Sequence, residues 1–402
     1  MMESLAARFQ AELPRLDAND PQYVPHLVSA ILAGARSAHA TDVHLVPGAD
    51  SLDMHWRIDG VLQKIAAFPA PLAPRVVARL KVLSQLLTYR TDVPQEGRLH
   101  GENAQGADEV RISTFPTLFG EKAVVRLFAG AGKYQVLDDL GLPSEIVEPL
   151  RRLLDETAGV ILLTGPAGSG KTTTIYAALR ELANKTHGGR SLVSLEDPIE
   201  VVVPGVSQSQ VNPAAGFDMA GGLRSLLRQD PEVMMVGEIR DRGTAETVFQ
   251  ASLTGHLVLT TFHAGSAAQA INRLSDMGIE PYLLRSGVRA ILCQRLLRRL
   301  CSCAKSSADE EARLGLAVGV VRIPSGCADC AGTGYRGRFV LTEMLLPSQS
   351  ELGRAILSRS DARELENLAV EAGMVTQRQR ASDAVAAGWT SPAEVRRVLG
   401  FG

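Results

Sequence analysis

The octapeptide GPAGSGKT at residues 165–172 constrains this chain more than any other segment, because it dictates the backbone on both sides of it. Glycines at Gly165, Gly168 and Gly170 let successive backbone N–H groups turn inward and approach an anion closely, which a β-carbon would obstruct. Lys171 offers a point charge to β- and γ-phosphates and Thr172 a hydroxyl to Mg²⁺, while Pro166, Ala167, Ser169 and Thr173 complete the loop and the turn after it. Such a loop must leave a strand and enter a helix. The flanks comply: Val160-Ile161-Leu162-Leu163 is an apolar run of strand type, and Ile175, Leu179 and Leu182 fall at helical spacing. The segment predicts an α/β core that binds ATP and Mg²⁺.

Short apolar runs beginning at Val160, Leu192, Val233 and Leu257 alternate with helical stretches, the rhythm of a parallel sheet flanked by helices. Three of them end in chemistry. SLVSLEDPIE delivers Glu196, Asp197 and Glu200; VMMVGEIRD delivers Glu238 as a Walker B-like strand with Glu in place of the usual Asp; TGHLVLTTFHAG places His256 before a strand and His263 after it. Open parallel sheets bind ligands beyond the carboxyl ends of their strands. One carboxylate is expected to hold Mg²⁺ through water and another to orient the attacking water, because phosphoryl transfer depends on positioning and charge neutralisation. The residues alone leave the division among Glu196, Asp197, Glu200 and Glu238 open. His263, at the carboxyl end of its strand, reads equally as a γ-phosphate sensor or a structural residue.

Composition limits the alternatives. With 402 residues and 45% apolar content, two or three domains with sizeable cores are expected. Lys plus Arg number 42 against 44 Asp plus Glu, a balance that gives no electrostatic reason to expect nucleic acid. No apolar run has the length of a membrane span and MMESLAARFQ lacks a signal-peptide pattern, so a cytoplasmic chain is expected. Five cysteines, all between Cys293 and Cys330, argue against a disulfide framework.

The chain is expected to divide at about ten-residue precision into a leader (1–21), a smaller α/β domain (22–130), the nucleotide core (131–300), a cysteine element (301–345) and a helical tail (346–402) with apolar residues at Leu365, Leu368 and Val370. In the smaller domain a helix is predicted around Tyr23 to Ala38, with strands over Asp53 to Trp56 and Val110 to Thr114. Alternation in the second strand puts Arg111 and Ser113 on the less apolar face. Ala129 to Lys133, AGAGK, reads as a flexible connector, and Arg295 to Arg299 as the solvated face of a helix. Leu5, Phe9 and Leu13 would form one helical stripe, packed on the chain's own domain or serving as an anchor for a membrane-embedded partner.

In order, GPAGSGKTTT, EDPIE, LRQDPEVMMVGEIRD and TGHLVLTTFHAG resemble the phosphate loop, Asp box, Walker B and His box of the secretion ATPases of type II secretion and type IV pilus assembly. The segments ATDVHLVP, WRIDGVLQKI, VPQEGRLHG and VRISTFPTLFGEKAVVRL are also similar to that family, so the resemblance runs from about Pro21 onward. It implies a RecA-like P-loop core preceded by a PAS-like domain. It further implies that Glu200 activates water, that Glu238 lies with Mg²⁺, and that His256 and His263 lie near the γ-phosphate. Arg98 and Arg111, together with Arg224 and Arg228, would neutralise phosphate charge across domain or subunit boundaries. Near Arg98 the chain departs from the family, with Glu96 where Asp is common and Asp92-Val93 where a basic residue often stands. Assembly-type members carry two cysteine pairs that bind Zn²⁺, which retraction motors lack; Cys301, Cys303, Cys327 and Cys330 stand in their place, the first pair one residue shorter than C-x-x-C. Cys293 is expected in the core. The implied protein is a hexameric motor that works with an inner-membrane platform protein on pilins or pseudopilins; a retraction motor and a nucleic-acid translocase are the rival readings.

Overall fold

In the computed structural model, residues 5–11, 13, 20–99, 110–127, 134–347 and 350–400 are described. The chain divides into two compact units, one comprising Met1–Ala131, Leu300–Lys305 and Pro324–Gly337, the other the remainder. The connector expected at Ala129 to Lys133 lies outside the described residues.

The first unit contains helices α1 (Leu5–Ala11), α2 (Tyr23–Ser37) and α3 (Leu72–Leu83) and strands β1 (Asp42–Pro47), β2 (Ser51–Ile58), β3 (Val61–Pro69), β4 (Gln95–Leu99), β5 (Val110–Thr117) and β6 (Gly120–Leu127). The strands form one antiparallel sheet in the order β3-β2-β1-β6-β5-β4. A two-residue turn, Asp59-Gly60, joins β2 to β3 with positive φ at both positions, the conformation whose twist matches an antiparallel pair. Strand alternation places Val43, Leu45, Met54, Trp56, Ile112 and Val125 in the core. On α2, Val24, Leu27, Val28, Ile31 and Ala35 are buried at helical spacing.

The amino-terminal stripe packs on its own unit. Phe9 is 2% exposed and meets the Trp56 ring edge-on at 5.3 Å, while Leu5 and Leu13 lie against the same core. Gly34 permits this approach, since a β-carbon there would stand 3.1 Å from both rings. Phe9 is therefore not an anchor for a partner.

The second unit holds α4 (Ser144–Leu154), β7 (Gly159–Thr164), α5 (Lys171–Thr186), β8 (Leu192–Glu196), β9 (Ser207–Gln210), α6 (Met219–Leu226), β10 (Val233–Val236), α7 (Arg242–Leu253), β11 (Leu257–Phe262), α8 (Ala267–Asp276), α9 (Pro281–Gly287) and β12 (Val288–Leu300). After β12 come the short β13 (Lys305–Ser307), α10 (Glu310–Arg313) and β14 (Val321–Ile323), then β15 (Tyr335–Leu345) and four helices, α11 (Ser350–Leu357), α12 (Ala362–Glu371), α13 (Gln377–Ala386) and α14 (Pro392–Leu399). The large sheet runs β15-β12-β7-β11-β10-β8-β9. From β12 to β9 the neighbouring strands are parallel. Both faces are covered: Ile161, Leu163 and Met235 join Ile175, Leu179 and Leu150 in one core, whereas Leu162, Met234 and Val236 join Val248 and Ile271 in another. Continuous apolar strands are what such double burial requires.

In the tail, Leu365 is buried and Leu368 packs against the core, but Val370 is 46% exposed. The basic run corrects the sequence expectation. Arg295 to Arg299 lie on β12, a strand, because the preceding run from Val288 pairs with β7 and carries the chain on in extended form. Nor is the run simply solvated: Arg298 pairs with the fully buried Glu394 at 2.7 Å, and Arg299 lies over the rings of Phe339 and Trp389. No helix among the described residues is long and apolar enough to cross a membrane.

Candidate active site

The loop Gly165 to Gly170 joins the fully buried β7 to α5, so the backbone N–H groups that open α5 and the positive end of its dipole face the loop. Gly165, Gly168 and Gly170 all have positive φ. At Gly165 the need is also steric, since a β-carbon would lie 2.4 Å from the Gln294 carbonyl on β12. Lys171 Nζ donates to the carbonyls of Gly165 at 2.9 Å and Pro166 at 3.0 Å. Burial lowers the Lys171 pKa, while the charges of Glu238 and Glu200 work against that shift. Ser169 is buried and its hydroxyl has no partner among the described residues, an acceptor-seeking group inside an anion cradle. Thr172 and Thr173 occupy the first turn of α5.

Strand order brings the carboxyl ends of β7, β11, β10 and β8 side by side. Gly237, just past β10, donates its N–H to Leu195 at 2.9 Å and accepts the Thr261 hydroxyl at 2.7 Å, fixing the base of Glu238 between β8 and β11. Glu238 then meets His263 Nε2 at 3.2 Å and Arg240 Nε at 3.4 Å. The other ring nitrogen of His263 lies 3.0 Å from the Gly165 carbonyl, so His263 joins the Walker B acid to the phosphate loop. Arg273 on α8 donates to the His263 carbonyl and stacks on Phe262.

The EDPIE acids have separate environments. Glu196 is 2% exposed; one oxygen accepts the Tyr176 hydroxyl at 2.5 Å, and the other accepts Ser194 at 2.6 Å and Gln208 at 3.0 Å. Asp197 pairs with Arg240 at 3.0 Å. Glu200 is exposed, and its backbone N–H donates to the Tyr176 oxygen at 3.1 Å. Tyr176 therefore receives from Glu200 and gives to Glu196. Burial, followed by the bond to Glu196 and its charge, raises the phenol pKa well above the usual tyrosine value.

His256 is not part of this constellation within the chain. It precedes β11, its carbonyl accepts the N–H of Gly159 at the start of β7, and its Nδ1 lies 3.0 Å from the Ala251 carbonyl at the end of α7. The six residues of β11 span about 20 Å and separate it from His263. Arg98 and Arg111 stand directly opposite one another on β4 and β5, and Arg111 is opposite Arg126, which pairs with Asp42 at 3.1 Å. Arg224 lies on α6, and exposed Arg228 donates to its carbonyl at 3.0 Å. Sequence reasoning did not single out Tyr176, Thr261, Arg240 or Arg273, whose partners are set by the sheet and not by spacing along the chain.

Cys301, Cys303, Cys327 and Cys330 come together, all four sulfurs within 4.8 Å of one another. Sulfur–sulfur separations are 3.7 Å for Cys301–Cys327, 3.8 Å for Cys303–Cys330 and 3.7 Å for Cys327–Cys330. A tetrahedron with Zn–S bonds of about 2.3 Å has edges of about 3.8 Å. The shortened first pair thus still closes a set of metal-ion size. Burial pushes the Cys330 thiol up, but N–H donation from Cys327 and Gly334 outweighs it and leaves the group at about 7. Cys293, by contrast, is fully buried on β12, and burial pushes its thiol up to about 12.

Residues 17–397 match the family described as Type II/IV secretion system protein. The chain is 39% identical to the type II secretion system ATPase E of Vibrio cholerae, over 98% of this chain and 79% of that one. It is 36% identical to the type IV pilus assembly ATPase PilB of Thermus thermophilus, over 92% of this chain and 42% of that one. The fold resembles the Legionella pneumophila ATPase DotB with a TM-score of 0.70 at 21% identity, covering 96% of this chain and 97% of that one.

Proposed function

Since this chain belongs to the type II/IV secretion system protein family, we propose that it is the ATP-hydrolysing motor of a type II secretion or type IV pilus machine, with its phosphoryl chemistry at the carboxyl edge of the large sheet. One observation carries the site: the two ring nitrogens of His263 lie within hydrogen-bond distance of Glu238 and of the Gly165 carbonyl of the phosphate loop, so the Walker B acid, the His box and the loop share one locus. Lys171 and the loop N–H groups hold the β- and γ-phosphates. Thr172 and Glu238 would hold Mg²⁺, which would supply further charge neutralisation when bound. Glu200 takes a proton from the attacking water as its oxygen bonds the γ-phosphorus and the β–γ bridging bond breaks, leaving negative charge on ADP that Lys171 offsets. The exposure of Glu200 supports this role, whereas Glu196 is buried and accepts three donors.

Arg98 and Arg111 lie in the first unit, away in sequence from the loop they are assigned to serve, which fits a ring, proposed as a hexamer, in which one copy completes another's site. The cysteine geometry supports one structural Zn²⁺ and favours an assembly motor over a retraction motor. An inner-membrane platform protein would receive the motion at the cytoplasmic face and pass it to pilins or pseudopilins. The test is ATP turnover measured across protein concentration, with and without DNA. Lys171→Ala is expected to abolish turnover and Glu200→Gln to lower it about 100-fold with nucleotide still bound. Specific activity is expected to rise with concentration in the wild type and far less in Arg111→Ala. Full turnover by Glu200→Gln would remove that residue from the base's role, and stimulation by DNA would favour a translocase.

A further inference from the structure

Beneath the His263 segment lies a buried acid that the chemistry above does not use. Glu343, on β15, is 3% exposed. One of its oxygens accepts the N–H of Ala267, the first residue of α8, at 2.8 Å, and the other accepts the N–H of Gln377, the first residue of α13, at 3.0 Å. Each helix already has its own side-chain cap, Ser266 to the Gln269 N–H and Thr376 to the Gln379 N–H. Glu343 therefore takes an additional donor from each first turn, and one carboxylate faces two positive helix ends.

Its connections lead to the active site. The segment from His263 to Ala267 is held along its length: Arg273 donates to the His263 carbonyl, Thr164 to that of Ala264 at 3.5 Å, Arg295 to that of Gly265 at 3.0 Å, and Ala267 gives its N–H to Glu343. Cys293 also donates to Gly265 at 3.5 Å, and the Gln377 side chain donates to the Cys293 carbonyl at 2.8 Å. Glu343, Ala267, Gly265, Cys293 and Gln377 thus close a ring of contacts. It joins the segment bearing His263 to the carboxy-terminal helices.

We propose that Glu343 is a positioning residue for His263: by holding the Ala267 and Gln377 amides on one carboxylate, it fixes the His263-to-Ala267 segment beside the phosphate loop and couples that segment to α13. The proposal rests on the assignment of His263 to the nucleotide site. An ordinary structural carboxylate would affect stability alone. A positioning one must act through the histidine, and its effect must vanish when the histidine is gone.

Glu343→Gln keeps the shape but turns an NH₂ group toward one of the two N–H donors, releasing one helix start. In the full chain it is expected to lower kcat about tenfold while leaving the Kd for a fluorescent ADP within about twofold, because the loop is untouched. In a His263→Ala background the same substitution is expected to change kcat by less than about twofold. Equal losses in both backgrounds, or no loss in the wild-type background, would overturn the proposal. Unchanged kcat in His263→Ala alone would sink the histidine's assignment and this proposal with it, a failure visible in the single variant. Should Glu343→Gln prove insoluble, Gln377→Leu, which keeps the backbone N–H but severs the link to Cys293, enters the same cycle with an expected loss of about threefold.

Discussion

Replacing Tyr176 by Phe removes one oxygen and tests how the Asp-box acids are divided. Tyr176 is 3% exposed and Glu196 2%, and the tyrosine supplies the described donor to one Glu196 oxygen, while Ser194 and Gln208 both serve the other. A hydrogen bond to a charged group contributes about 1.5–3 kcal/mol, and leaving a buried carboxylate oxygen bare puts this case in the upper half of that range. The Glu200 N–H also loses its acceptor, but Glu200 is exposed and water replaces the tyrosine there at small cost. The expected destabilisation of about 2–3 kcal/mol corresponds to a fall of about 5–10 °C in the melting transition of a unit this size. Turnover is expected to fall about tenfold or more, since the bond that fixes the Glu200 backbone is gone, with KM for ATP nearly unchanged because the phosphate loop is intact. The phenol pKa is raised by burial and by Glu196, so the hydroxyl stays protonated and the turnover ratio should be flat from about pH 6 to 9. Calorimetry and steady-state hydrolysis, run on the same preparations, decide it. A variant that melts within a degree of the parent and hydrolyses ATP at full rate would refute the claim that this hydroxyl supports the two acids.

Metal analysis of protein purified without chelator is expected to find about one Zn²⁺ per chain, lost in Cys303→Ser, whereas Cys293, pushed up to about 12 by burial, should resist alkylation at pH 8 until the chain unfolds. Absence of zinc would remove the metal from the cysteine element. The acid limb of stability offers a separate check. Burial alone would raise the Glu394 pKa, but Arg397 and Arg298 outweigh it and the net shift is downward. A carboxyl depressed on folding adds stability above its unfolded value of about 4.3, and that stability is lost as pH falls through the lower folded value. Glu394→Ala, which leaves two guanidinium groups facing an emptied site, is expected to cost about 3–5 kcal/mol at pH 7 and to flatten the acid dependence below about pH 4.5 in urea titrations; an unchanged acid limb would exclude the pair as its source.

What the residues disclosed and what they hid separates along a physical line. The apolar runs at Val160, Leu192, Val233 and Leu257 were legible because strands buried on both faces tolerate little else, and the loop at Gly165 because close anion approach excludes side chains. Arg295 to Arg299 misled because RLLRRL repeats at helical spacing, and what holds it lies far off in sequence: β7, which pairs with the preceding Val288 to Cys293, and Glu394 and Trp389, which meet its side chains. Within the chain, His256 stands apart from His263 for a different reason. A motif records order, not distance, and six extended residues carry the two histidines to opposite ends of one strand. The shortened cysteine pair made the reverse point, since a set closed by backbone turns does not need the usual spacing. Glu343 gave no signal at all, because an acid inside an apolar run looks like an interruption until two helix starts are found on it. Local rules thus pick out the groups proposed to meet phosphate, and the groups that hold them in place emerge only from the sheet order. Mutational effects at Tyr176 and Glu343, which touch no phosphate in this reading, are for that reason the stricter test of how the site is built.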